Sequence, residues 1–210
     1  MDALRKKVTY REFRDDDLDA LIDIIAKQWF PYLDNKEAII CATGEVIEHI
    51  ANSTRGLVGE LDGKLMGVCF ARWGECGRQE MWLECLQSLI SVNKISFNIE
   101  RELALLQDET SLMEEVSSNF GDEGVGALEL LIVSPEARGY GIGGSLMKMS
   151  LDWLREQGAT DYRLVTDDDC DWAFYEYKGL KRMGEREITF AGAQDETQPF
   201  NIYVYQGKLG

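Results

Sequence analysis

Apolar and polar residues alternate through Val8-Thr9-Tyr10-Arg11-Glu12-Phe13, the period of a half-buried strand. Asp15, Asp16 and Asp17 follow and supply the capping and first-turn acids of a helix. Leu18, Leu21, Ile22, Ile25 and Trp29 recur at helical spacing until Pro31 ends the run, since proline cannot continue a helix. A second helix is predicted over 36–51. Residues 56–61 and 64–71 are strand-like, and Asp62-Gly63 between them is a two-residue hairpin signal.

Residues 75–123 interrupt that rhythm. Trp82, Leu83, Leu86, Leu89 and Ile90, then Ile99, Leu103 and Leu106, keep rough helical spacing, which predicts two or three amphipathic helices. Eleven acids against three bases give this segment −8, half of the chain's net charge of −16. A charge run of this kind ordinarily faces water, so a solvated helical insertion is expected; a lid or partner surface is the functional alternative.

The pattern tightens after Gly126. Ala127-Leu128-Glu129-Leu130-Leu131-Ile132-Val133 is an apolar strand. It runs into Ser134-Pro135-Glu136-Ala137-Arg138-Gly139-Tyr140-Gly141-Ile142-Gly143-Gly144-Ser145. A helix follows, with Ile142, Leu146, Met149 and Trp153 expected on its buried face and Gly158 as its stop. Residues 162–166 read as a strand and Asp167-Asp168-Asp169 as the turn that ends it. A short helix over 172–177 comes next, with Phe174 and Trp172 expected in the core. Strands over 180–190 and 201–205 close the chain.

Composition narrows the possibilities. A length of 210 residues with 45% hydrophobic content suits one folded domain over 1–210, with 75–123 inserted in it. Excess acid repels phosphates, so neither nucleic acid nor an anionic membrane is an expected partner, while a cationic substrate is compatible. No apolar run reaches the roughly 20 residues of a membrane span, and residues 1–7 lack the apolar core of a secretory signal. Five scattered cysteines without a C-x-x-C pair suggest reduced thiols and a cytoplasmic location. The single histidine, His49, has no ligand-spaced Cys or His around it, so no metal is expected and His49 reads as an ordinary helix residue.

One segment carries legible chemistry. A strand, a glycine-rich turn and a helix form an anion site, because the first helical N–H groups lack partners and the macrodipole adds partial positive charge. Glycines let the backbone approach a phosphate, and Arg138 adds a cation. The turn should therefore hold a pyrophosphate. Gly139-x-Gly141-x-x-Gly144 matches the dinucleotide fingerprint literally. It lies past the middle of the chain, however, with only one strand–helix pair downstream, whereas that fingerprint opens a longer series. The turn also lacks the Gly-Lys-Ser/Thr ending of a P-loop.

The segment from Val133 to Gly143 resembles the acyl-CoA signature R/Q-x-x-G-x-G/A of the GCN5-related N-acetyltransferases (GNAT), with Arg138, Gly141 and Gly143 at the signature positions. Phe174-Tyr175-Glu176-Tyr177-Lys178-Gly179-Leu180 is similar to that family's F-Y-E-x-x-G-F segment. The resemblance covers nearly the whole chain, from Val8 to about Tyr205; the insertion at 75–123 departs from it. It implies an α/β fold with a mixed, mostly antiparallel central sheet, flanked by helices, whose fourth and fifth strands splay apart around acetyl-CoA.

By that resemblance, Leu131, Ile132 and Val133 would pair with the pantetheine arm. Arg138, Gly139, Tyr140, Gly141, Ile142, Gly143, Gly144 and Ser145 would hold the pyrophosphate. Glu129 would be the base or acceptor-binding acid, with Glu123 a second carboxylate to consider, and Tyr175 would protonate the leaving thiolate. The family often has an asparagine where this chain has Asp167, Asp168, Asp169 and Asp171; turn and capping work is expected of them. The expected function is direct acetyl transfer from acetyl-CoA to a primary amine of a small molecule or peptide. The alternative is a weakly active acyl-CoA-binding or protein-interaction module on the same fold. Neither the acceptor nor the oligomeric state is encoded in a recognisable motif.

Overall fold

The computed structural model describes residues 7–76, 84, 85, 88, 97–170, 172–188 and 200–210. The strands are β1 (Val8–Glu12), β2 (Arg55–Leu61), β3 (Lys64–Arg72), β4 (Val125–Val133), β5 (Asp161–Asp167), β6 (Lys181–Ile188) and β7 (Phe200–Lys208). The helices are α1 (Leu18–Trp29), α2 (Asn35–Ala51), α3 (Phe97–Phe120), α4 (Ile142–Glu156) and α5 (Trp172–Tyr177). The strands make one seven-stranded sheet in the order β1-β2-β3-β4-β5-β7-β6. The β1–β2, β2–β3, β5–β7 and β6–β7 pairs are antiparallel and β4–β5 is parallel.

Local chemistry explains the element ends. Asp62 (φ 54°) and Gly63 (φ 80°) are both left-handed, as a two-residue turn matched to strand twist requires. Asp34 caps α2 by accepting from the amides of Lys36 at 2.9 Å and Glu37 at 3.0 Å. The β4–β5 ladder comprises Val125–Asp161, Gly126–Tyr162 and Ala127–Arg163, while both strands continue further. The two strands are thus paired only where they begin.

The chain forms two compact units. The first comprises 1–94 and 128–157. Leu21, Ile25, Val46, Leu57, Val58, Val68, Ile142, Leu146 and Leu154 are its most deeply buried large side chains. The buried face of α4 is Ile142, Leu146, Met147, Ser150 and Leu154. Met149, expected there, is exposed, and Trp153 is half-buried. The glycines of β2 and β3 let α4 settle: a Cβ on Gly59 would lie 2.5 Å from Ile142 Cγ2, and one on Gly67 3.2 Å from the same atom.

The second unit comprises 95–127 and 158–210. Leu112 and Val116 of α3 pack with Ile188, Ile202 and Val204 of β6 and β7. Arg186 on β6 donates to Asp108 at 3.3 Å and Glu115 at 3.1 Å. Arg163 is buried and donates to Asp122 at 2.6 Å, the Gly121 carbonyl at 2.6 Å and Gln206 at 2.8 Å. Within the acidic insertion, α3 is therefore packed on the sheet of its unit, and Asp108, Glu115 and Asp122 are already paired. The expected helical face at Trp82, Leu83, Leu86, Leu89 and Ile90 lies outside the described residues.

Candidate active site

In the first unit, β4 leads into a short 3-10 turn (Pro135–Ala137), where the Ser134 hydroxyl accepts from the Glu136 amide. Arg138 follows, exposed and without a side-chain partner among the described residues. Gly139 (φ 86°) and Gly141 (φ 72°) are left-handed, and no atom lies within 4 Å of where a Cβ would stand on either. Gly141 is the N-cap of α4, and no side chain caps the helix. The amides of Ile142, Gly143 and Gly144 precede the first closed turn, which the Ser145 amide makes with the Gly141 carbonyl at 3.1 Å. This is a helix N-terminus with donors and a neighbouring cation, suited to an anion.

The predicted turn residues divide by role. A Cβ on Gly143 would lie 3.2 Å from Val133 Cγ2, whereas one on Gly144 would meet open space. Gly143 keeps α4 close to β4, while Gly144 keeps the approach to the amides clear. Ser145 already spends its amide inside the helix. Ile142 is buried against β2 and β3, so its contribution is its amide and not its side chain. Tyr140 is exposed at the rim. Leu131 and Val133 are half-buried and Ile132 is buried.

Glu129 does not face open solvent. Its carboxylate accepts from Arg72 Nε at 2.7 Å, and its side chain is only 19% exposed. Burial pushes its pKa up, against the pull of Arg72; Glu48 adds to the rise and His49 opposes it. Glu48 and His49 lie on α2, together with Glu45. His49 Nδ1 is 3.3 Å from Glu48 Oε2, and Nε2 is 3.7 Å from Glu45 Oε2. Asn52 Nδ2 donates to Glu48 Oε1 at 2.6 Å. The edge of the Trp29 ring of α1 meets His49, with centroids 6.1 Å apart.

Burial disfavours the charged form of both neighbours on α2. Glu48 is pushed up to about 7, with the Asn52 hydrogen bond opposing the rise. His49 is pulled down to about 4, with Glu129 opposing the fall. Between those values the pair holds one proton, and the carboxyl carries it. Sequence reasoning took His49 for an ordinary helix residue and missed Glu45 and Glu48. Their positions i, i+3 and i+4 share one helix face, which was the available signal. Glu123, the other carboxylate considered, is exposed in the turn before β4.

Tyr175 belongs to the second unit. Its ring packs against Tyr205 (centroids 5.9 Å) and Phe174 (5.5 Å). Arg182 anchors the helix that carries it. The guanidinium lies over Trp172, Tyr203 and Tyr205 at 5.2, 4.3 and 5.5 Å, and it donates to Glu176 at 2.8 Å and the Tyr205 hydroxyl at 3.1 Å. Phe174 and Trp172, expected in the core, are half-buried, and α5 contains no buried residue. Asp168 ties β5 to β7: it accepts from the Asn201 amide at 2.7 Å and the Tyr203 hydroxyl at 2.6 Å. Asp167, which accepts from the Asp169 amide at 3.0 Å, and Asp168 thus do turn work, as expected, while Asp171 lies outside the described residues.

Among the described residues, no group of three His, Cys, Asp or Glu side chains could hold a metal ion. No helix there is long and apolar enough to cross a membrane.

A mixed sheet with a parallel β4–β5 pair and a glycine turn opening α4 is the architecture of an acetyltransferase fold. The model of the acetyltransferase (GNAT) family matches residues 18–180, and the chain belongs to that family. No curated protein sequence matches it. Solved structures share the fold at low identity. An N-acetyltransferase from Staphylococcus aureus Mu50 is 12% identical, with a TM-score of 0.55 and coverage of 97% of this chain and 99% of that one. A ribosomal-protein alanine N-acetyltransferase from Escherichia coli is 13% identical, with a TM-score of 0.55 and coverage of 97% and 95%. The Salmonella typhimurium protein yncA, solved with acetyl-CoA, is 13% identical, with a TM-score of 0.52 and coverage of 97% and 94%.

Proposed function

We propose that this protein transfers an acetyl group from acetyl-CoA to a primary amine by direct attack in a ternary complex. The observation that carries the reading is the uncapped N-terminus of α4, flanked by Arg138, which has no side-chain partner among the described residues, and by left-handed glycines with open space before them. A pyrophosphate fits that turn: the donors of 142–144 and the guanidinium supply charge-assisted bonds, and no side chain stands in the way. Acetyl-CoA supplies the activated thioester. An amide of Leu131, Ile132 or Val133 donates to the thioester carbonyl, where fixed donors favour developing negative charge. The Tyr175 hydroxyl, at the tyrosine of the F-Y-E segment, gives its proton to the departing sulfur. A phenol stays protonated at pH 7 and so can do this.

The acceptor is an alkyl amine, protonated at neutral pH, and the chain's acid excess favours its approach. The deciding experiment is a thiol-release assay with acetyl-CoA against spermidine, kanamycin, lysine and a short peptide with a free N-terminus. Calorimetric titration with CoA and with NAD accompanies it. Thiol release with at least one amine, together with CoA binding, supports the enzyme. CoA binding without release from any amine supports the weakly active module. NAD binding without CoA binding overturns both.

A further inference from the structure

We infer that Arg182 is the positioning residue for Tyr175, holding α5 at the setting from which the Tyr175 hydroxyl gives its proton. This rests on the acetyl-transfer reading and on the role proposed there for Tyr175. Such a device is needed because α5 has six residues and buries none of them. A helix of that length is not stable by itself, and no buried apolar face fixes its place.

The backbone fixes only its end. Gly179 is left-handed (φ 82°); its amide donates to the Glu176 carbonyl at 2.9 Å, and the Leu180 amide donates to the Tyr175 carbonyl at 3.0 Å. This pair of bonds closes the helix and turns the chain into β6. It puts no side chain of α5 on the sheet.

Arg182 supplies that contact. Trp172 and Glu176 are four residues apart and share one face of α5. The guanidinium lies 5.2 Å from the Trp172 ring centroid, and its Nη2 donates to Glu176 Oε1 at 2.8 Å, so it grips both ends of that face. On β7 it lies 4.3 Å from the Tyr203 centroid, and its Nε donates to the Tyr205 hydroxyl at 3.1 Å. That hydroxyl donates to the same Glu176 oxygen at 2.9 Å, and the Tyr205 ring carries the Tyr175 ring, centroids 5.9 Å apart. Nη1 donates to Glu185 at 2.9 Å. Each guanidinium nitrogen has its own partner, and a rigid planar fork held in this way cannot turn without breaking one of those bonds.

The strand register explains why Arg182 faces this side. Arg182 pairs with Tyr205 and Gly184 with Val204, so Met183 is an extra residue in β6. Gly184 faces α3, where a Cβ would lie 2.8 Å from Val116 Cγ2. In a regular strand residues two apart share a face, and Arg182 would point at α3 as well. The bulge at Met183 re-aims it.

Magnitudes separate positioning from simple stabilisation. The Glu176 and Glu185 side chains are 47% and 49% exposed, and ion pairs open to water add little to stability. What the network supplies is a direction for α5. In the step it serves, the C–S bond breaks, its electron pair leaves with sulfur, and the Tyr175 proton forms the S–H bond. The phenolate then recovers a proton that the acylated nitrogen gives to solvent. Misplacing a reacting group by about 1 Å can cost about 10²-fold in rate.

The test is a double-substitution cycle on kcat and on KM for acetyl-CoA, with the amine that releases thiol fastest. Its members are wild type, Arg182→Met, Tyr175→Phe and the double variant. Arg182→Met keeps the apolar stem and removes every donor. It should lower kcat about 10–10²-fold and leave KM nearly unmoved. In the Tyr175→Phe background the same substitution should change kcat by no more than about 2-fold, because Arg182 acts through the missing hydroxyl. Glu176→Ala, which removes the α5 end of the clamp at a half-exposed position, should repeat the pattern of Arg182→Met.

Circular dichroism and CoA titration check that each variant folds and still binds the donor. Wild-type kcat in a folded Arg182→Met enzyme overturns the inference while sparing acetyl transfer. So does a loss of equal size with and without the Tyr175 hydroxyl. Wild-type kcat in Tyr175→Phe overturns the proposed proton donor and this inference with it, and absence of thiol release by wild type from every amine overturns acetyl transfer as well. Should Arg182→Met not fold, the same cycle with Glu176→Ala decides in its place.

Discussion

Glu48 and His49 make an unusual prediction about stability, because their shifts oppose each other. Glu48 rises from 4.5 to about 7, so the folded state holds its proton more tightly than the unfolded chain does. Its contribution is present below pH 4.5 and is lost as pH rises through about 7. His49 falls from 6.5 to about 4, so its contribution is present above pH 6.5 and is lost as pH falls through about 4. At about 1.4 kcal/mol per unit, each shift corresponds to up to about 3 kcal/mol. Between pH 4.5 and 6.5 the two slopes cancel, and wild type should be nearly flat as far as this pair is concerned. Glu48→Gln removes one slope. Its stability relative to wild type should improve by up to about 3 kcal/mol between pH 4.5 and pH 8. In absolute terms the variant should weaken as pH falls from 6.5 to 4, because His49 then acts alone. Urea denaturation at pH 4.5, 6 and 8, followed by tryptophan fluorescence, measures the difference. A stability difference independent of pH would refute the reasoning, because it would mean that Glu48 titrates alike in folded and unfolded chains.

Gly141→Val should abolish measurable CoA binding by calorimetry while costing only about 1–2 kcal/mol of stability, since the φ of 72° is strained for valine but no atom lies within 4 Å of the added Cβ. A folded variant with unchanged CoA affinity would remove the turn from the donor site. Tyr175→Phe should lower kcat about 10²–10⁴-fold with KM for acetyl-CoA and thermal stability nearly intact, because the ring keeps its packing on Tyr205. Wild-type kcat in that variant would leave water as the proton donor. Leu112→Ala should cost about 2–5 kcal/mol in urea unfolding, as Leu112 is 3% exposed in the core that joins α3 to β6 and β7. A cost below 1 kcal/mol would mean that α3 adds little to its unit.

Much of the fold was legible because the signals were local. Asp62-Gly63, Pro31 and the glycines after β4 mark ends by their own backbone preferences, and the elements between them follow. The buried face of α4 was misread for a reason that periodicity cannot resolve. After Ile142 and Leu146, both Met147 and Met149 are apolar, and the sheet beneath chooses Met147. Ser150 shares that face as a polar residue whose hydroxyl bonds the buried Cys69 thiol, so its polarity concealed its position. The glycine turn proposed to hold the pyrophosphate could be read from sequence because its left-handed glycines and uncapped helix start are backbone features. The Glu45, Glu48 and His49 face could not, because charged residues at helical spacing ordinarily face water. Burial, which spacing along the helix does not report, is what shifts Glu48 and His49 in opposite directions; Glu129, 81 residues beyond Glu48 in the chain, adds its charge beside them.

The bare strip made by Gly59 and Gly67 has a consequence for engineering. The seat of α4, and with it the turn proposed to bind the pyrophosphate, depends on two glycines roughly 70–80 residues upstream of it. Transplanting 138–145 into another scaffold would carry the donors but not their bearing. A recipient with side chains at those two strand positions would lift the helix and point its amides elsewhere. Altered donor specificity should therefore be sought by exchanging β2, β3 and α4 as one cassette.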